Sequence, residues 1–146
     1  MHEKRLRTLV NLIALFNALP LVDHVVRGDF HWPIDGQSVA FVAIIVVMYG
    51  VLGLGLVWYR RHRIGPRFWM LVGAVGLAFG WLSHCSPFTD QPLAVSVGAY
   101  ASRVVGWLAL TCLLVLMLLV LMTTVYAGYL WRTTRSQARV LQVGGS

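Results

Sequence analysis

Charge is scarce in this chain. Only 12% of its 146 residues are charged, with five Asp or Glu against twelve Lys or Arg, roughly half the charged share of an ordinary soluble domain. Hydrophobic residues make up 58%, so too little polar surface remains to coat a water-soluble globule of this size. Cysteine is nearly missing: Cys85 and Cys112 are too few for a disulfide framework, and both are expected as free thiols. Lysine occurs only at Lys4. There is no glycine-rich phosphate loop, no GxSxG elbow and no HExxH pair, which removes the common nucleotide, hydrolase and zinc-protease chemistries. None of the connections between apolar blocks is long enough for a cofactor-binding soluble domain.

What the chain does hold is four apolar blocks with cations on alternate connections. Lys4, Arg5 and Arg7 precede the first block, Arg60, Arg61, Arg63 and Arg67 separate the second from the third, and Arg132, Arg135 and Arg139 follow the fourth. Only Arg27 and Arg103 fall on the other connections. The positive-inside rule leaves this alternation in a chain that crosses a bilayer four times with both ends in the cytoplasm. The formal charge of +7 would suggest nucleic acid in a soluble protein. Here the cations sit where anionic headgroups attract them, and no basic surface is left over for nucleic acid.

The expected architecture is an all-α integral membrane protein, a four-helix up-down bundle in residues 1–132 with both termini cytoplasmic. Its helices are expected at about 8–26, 39–59, 68–84 and 95–131, with 133–146 as a short flexible cytoplasmic tail. Gly65 and Pro66 make the turn of the basic hairpin, and Trp58, Tyr59, Tyr126, Tyr129 and Trp131 mark headgroup boundaries. The first block resembles a signal peptide in its basic lead, but lacks a small-x-small cleavage site and is expected to be retained. Charge bias and compact size point to a bacterial inner membrane.

Two patterns concern packing and chemistry. Gly73, Gly76 and Gly80 recur at spacings of three and four, one face of a helix, and permit close backbone approach where lipid supplies little hydrophobic drive. Gly106 belongs to a similar small-residue stripe on the fourth helix. These faces are expected to pack the bundle, or to join it to a second copy or to other membrane subunits. On the first helix Asn17, Pro20, His24 and Arg27 share a face with Asp23 beside them, which should point inward. If the glycine face of the third helix meets that polar face, His24 and His84 approach each other at the outer surface.

The candidate site is therefore an outer-face polar cluster of Asp23, His24, Arg27, His84, Cys85 and Arg103. Its plainest reading is an Asp23–Arg103 ion pair with two boundary histidines. Imidazole and thiolate also suit a transition metal held by His24, His84, Cys85 and an aspartate, and two histidines suit a haem, although no close ligand spacing marks a metal motif and no cofactor is expected. A proton relay through His24 and Asp23 is a further possibility. An intramembrane enzyme using Cys85 lacks an activating cation. His31, Trp32 and Pro33 read as an interface anchor and turn. The expected role is a non-catalytic accessory or structural subunit of a membrane complex, with a small transporter or channel, or a metal or haem protein, as alternatives.

Overall fold

The computed structural model describes residues 2–28, 34–87, 97–98 and 100–143, without the side chains of His2, Arg27 and residues 138–143. The described residues fold almost entirely as helix. The first apolar block becomes α1 (His2–Phe16) and α2 (Ala18–Arg27), followed by α3 (Gly36–Arg60), α4 (Pro66–His84) and α5 (Arg103–Val143). Three helical stretches are long and apolar enough to cross a membrane: Glu3–Val26, Gly36–Arg60 and Arg103–Gln137. The shorter α4, which carries Arg67 near its start and His84 at its end, is not among them.

Local chemistry accounts for the boundaries. Pro20 has no N–H to give the carbonyl of Phe16, so the helical path loosens there. The bond from the Leu21 N–H to the Asn17 carbonyl stretches to 3.3 Å, and Asn17 itself stays in the α region at φ −67° and ψ −18°. The path bends without ending. Gly28 closes α2 at φ 95°, a left-handed position where a Cβ would be strained. Asp35 caps α3 by accepting the Ser38 N–H at 2.8 Å. At the far end of α3 the N–H groups of His62 and Arg63 return to the carbonyls of Tyr59 and Trp58, with His62 left-handed at φ 54°. That is a Schellman closure with histidine where glycine is usual. Gly65 and Pro66 then start α4.

Two expected boundaries move. The first helix begins at His2 rather than Thr8, taking Lys4, Arg5 and Arg7 into its first turns. The last helix runs on to Val143 through the stretch expected as a tail. Nothing breaks it there: residues 132–143 contain neither proline nor glycine. Its expected start near residue 95 lies outside the described residues, and α5 proper opens at Arg103.

The packing pair on which the rest is hung is α4 against α5. The register is antiparallel: Met70 faces Gly128, Gly73 faces Thr124, Gly76 faces Val120 and Gly80 faces Met117. At Gly73 a Cβ would collide with Thr124 Oγ1, so only glycine lets the backbones approach this closely. The glycine face packs against another helix, as its spacing implies, and that helix is α5, whose small and flexible side chains fill its hollow; the first helix, the other partner considered, does not meet it there. Nearest to Gly106 stands the backbone of Val97, just upstream.

Helix α5 also packs on α1 and α2, while α3 reaches the bundle mainly through α1. The buried core (Leu6, Val10, Ile13, Leu52, Tyr59, Trp69, Leu116, Ala127 and Leu130) lies mostly towards the basic end. The Thr123 and Thr124 hydroxyls donate back to the carbonyls of Leu119 and Val120 at 2.7 Å, so neither is left unsatisfied in an apolar setting. Between α1 and α3, the Asn17 amide donates to Met48 Sδ at 3.0 Å and the Tyr49 hydroxyl to the Ala14 carbonyl at 3.3 Å. Asn17 thus serves the neighbouring helix. Thr124 cannot retreat far while its hydroxyl is bonded within α5. Gly73→Ala is accordingly expected to lower stability by roughly 1–3 kcal/mol. Gly76→Ala, with Val120 Cγ1 at an ordinary 3.8 Å, should change it by less than about 0.5 kcal/mol. Unfolding of the detergent-purified protein, followed by helical circular dichroism, measures both.

Candidate functional site at the histidine end

His24 sits one turn before the end of α2, and His84 is the last residue of α4. Their ring centroids stand 5.9 Å apart at an interplanar angle of 40°, and Phe41 of α3 lies 5.7 Å from His24 on its other flank. Three helices thus contribute to one spot. Both histidines are half-buried, as is Asp23, and His84 Nδ1 and Asp23 Oδ1 are shut off from solvent. Asp23, His24, Ser83 and His84 all have further polar or ring partners, so none stands free.

The end of α4 is held by its own cap. The Cys85 and Ser86 N–H groups return to the Trp81 carbonyl at 2.8 and 3.0 Å, and the buried Ser86 hydroxyl donates to the Leu82 carbonyl at 2.8 Å. This closes the last turn and holds the backbone that carries His84. Cys85 points out: its thiol-bearing residue is exposed.

The histidines meet although the glycine face of α4 is turned elsewhere. The register explains this. At 1.5 Å per residue about 32 Å of helix separates Glu3 from His24, and about 26 Å separates Arg67 from His84. Glu3 reaches His62 of the basic hairpin at 4.0 Å, so two nearly equal, parallel helices start together and finish together.

Arg103 does not join them. From Trp131, which is level with Arg67, α5 runs about 42 Å back to Arg103, about 16 Å beyond the level of His84. The arginine is exposed. The Arg27 side chain lies outside the described residues, as do Asp29, His31, Trp32 and Pro33. Of the six residues of the expected cluster, three come together as an inner group, with Cys85 beside them and turned outward.

Chemically, the arrangement is a pair of imidazoles with a carboxylate next in sequence to one of them. Among the described residues, no three His, Cys, Asp or Glu side chains are close enough to hold a metal ion together. The two imidazoles are the side chains of this group that could serve as ligands.

A second constellation was not legible from motifs. At the basic end the guanidinium of Arg67 lies 5.6 Å from the Trp131 ring centroid, and that of Arg135 lies 5.8 Å from it. The glycine spacing of α4, continued one turn towards Arg67, was the available signal, because the α4–α5 register brings position 67 opposite 131.

Three helices long and apolar enough to cross a membrane are the features of a membrane-associated helical protein. No protein-family model matches the chain, and no match is found among curated proteins or solved structures.

Proposed function

We propose that the chain crosses the membrane four times, with the hairpin at Gly65 and both termini in the cytoplasm of a bacterial cell, and acts as a non-catalytic subunit that assembles with other membrane proteins. The observation that carries the topology is the common level of the helix ends. Glu3, His62, Arg67 and Trp131 meet at the basic end, and His24, Phe41 and His84 at the other. The two levels are separated by about 26–32 Å of helix, close to the roughly 30 Å of bilayer hydrocarbon. Helix α4, less apolar than the others, fits that span because its cation and its histidine stand at the two surfaces.

The assembly role is supported by what lies between the levels. Helix α3 carries no charge before Arg60, α4 none between Arg67 and His84, and α5 none between Arg103 and Arg132. A permeation path or an intramembrane catalytic group calls for polar side chains lining a route. Of the polar groups here, Asn17 and Tyr49 bond to a neighbouring helix and Thr111, Thr123 and Thr124 to their own backbone. Fusion of a reporter at Gly65 or after Ser146 is expected to show cytoplasmic activity, and periplasmic activity at either point overturns the topology. Affinity purification of the intact chain from native membranes in mild detergent should recover stoichiometric membrane subunits. Recovery of the chain alone, after cross-linking as well as before, counts against the assembly role.

The 5.9 Å approach of His24 and His84 favours one second reading, a transition-metal or haem site at the outer face. Purified protein would then show stoichiometric metal or a Soret band that disappears in His24→Ala and His84→Ala. Colourless, metal-free protein after growth and purification with metal and haem supplied removes it.

A further inference from the structure

We propose that Arg67, Trp131 and Arg135 form a binding site for an anionic diacyl phospholipid, with the headgroup phosphate held by the two guanidinium groups. The inference rests on the reading above only in taking this end as a membrane surface. Both guanidinium groups are ordered by the Trp131 ring, at 5.6 and 5.8 Å, and neither has a carboxylate partner among the described residues. Glu3, the acid at this end, is directed to His62. The positive charge beside Trp131 is thus uncompensated, and each guanidinium keeps its planar fork of N–H donors for an oxyanion. Holding the arginines over an aromatic ring lowers the entropy lost when they grip a ligand.

The surroundings select a lipid over a soluble anion. Trp131, Arg132, Arg135 and Ser136 line a shallow groove, and on α4 the exposed Leu71 and Val75 follow Arg67 at spacings of four and eight. Residues at those spacings stand along one side of a helix, so an apolar track leads from Arg67 towards the hydrocarbon. A headgroup phosphate at the arginines would lay an acyl chain along Leu71 and Val75. A free phosphate would use only the upper half.

Delipidated full-length protein in detergent, titrated with dioleoylphosphatidylglycerol and observed by native mass spectrometry, tests the site directly. Binding should exceed that of dioleoylphosphatidylcholine, and Arg67→Gln with Arg135→Gln should weaken it roughly twentyfold, as expected for two surface arginines at low salt. Arg60→Gln with Arg61→Gln removes the same charge from the hairpin and should weaken binding less than about threefold. Arg67→Lys with Arg135→Lys keeps the charge and loses the fork, and an intermediate loss is expected from a fold no more perturbed than the parent. Equal effects of the two glutamine pairs would reduce the site to diffuse charge and overturn the proposal. Displacement of the lipid by millimolar inorganic phosphate would overturn it in favour of a free-anion site, and displacement by an acidic peptide in favour of a protein interface. None of these outcomes depends on which side of the membrane the reporters place the hairpin.

Discussion

Where Gly73 of α4 meets Thr124 of α5, two helix backbones come closer than any side chain larger than hydrogen would allow. In hydrocarbon there is little drive to bury one apolar surface against another, because lipid tails are as good a neighbour, so association relies on close dispersion contacts and occasional hydrogen bonds. The contact locks translation as well as distance. Once Gly73 is opposite Thr124, Met70 must face Gly128 and Gly80 must face Met117. That single register delivers Arg67 to Trp131 at one end, and sets the height at which His84 is presented at the other.

The remaining helices are aligned by weaker means. The Asn17–Met48 and Tyr49–Ala14 bonds tie α3 to the first helical path about halfway along it, each worth on the order of 0.6 kcal/mol in such a setting. Tyr59 and Trp69 add an edge-on ring contact, centroids 6.4 Å apart, nearer the basic end. Among the described residues, the buried core is concentrated in that half, and fewer core side chains surround the histidines. Lightly packed ends are where side chains reorganise most cheaply and where ligands gain access. The same asymmetry leaves much of α3 clothed in exposed valine, leucine and isoleucine, a surface suited to lipid tails or to another subunit.

Much of this was legible from residue order. The turn at Gly65 and Pro66, the extents of the second and third blocks and the apolar character of the helices all follow from properties a segment has by itself. The approach of His24 to His84 followed from topology, since the first and third crossings of an up-down bundle run parallel and bring their ends to one level. The expected partner of the glycine face did not follow. A stripe of glycines states that something comes close, and only the complementary bulk of Thr124, Val120 and Met117 determines what. Arg103 was placed with the histidines because it also lies outside the apolar core of its helix, yet α5 extends well past His84 and carries the arginine away. No local signal stops α5 at Trp131, and the tail expected from its polar composition continues as helix.

Composition and spacing alone determined the solvent and the secondary structure, because hydrocarbon imposes its demands on each segment separately: twenty or so apolar residues, satisfied backbone groups, cations at the rim. Register, the identity of neighbours and the meeting of Arg67 with Arg135 across Trp131 were decided only by the tertiary structure. Those features depend on how two surfaces fit, and a fit is a property of the pair that neither strand of sequence contains alone.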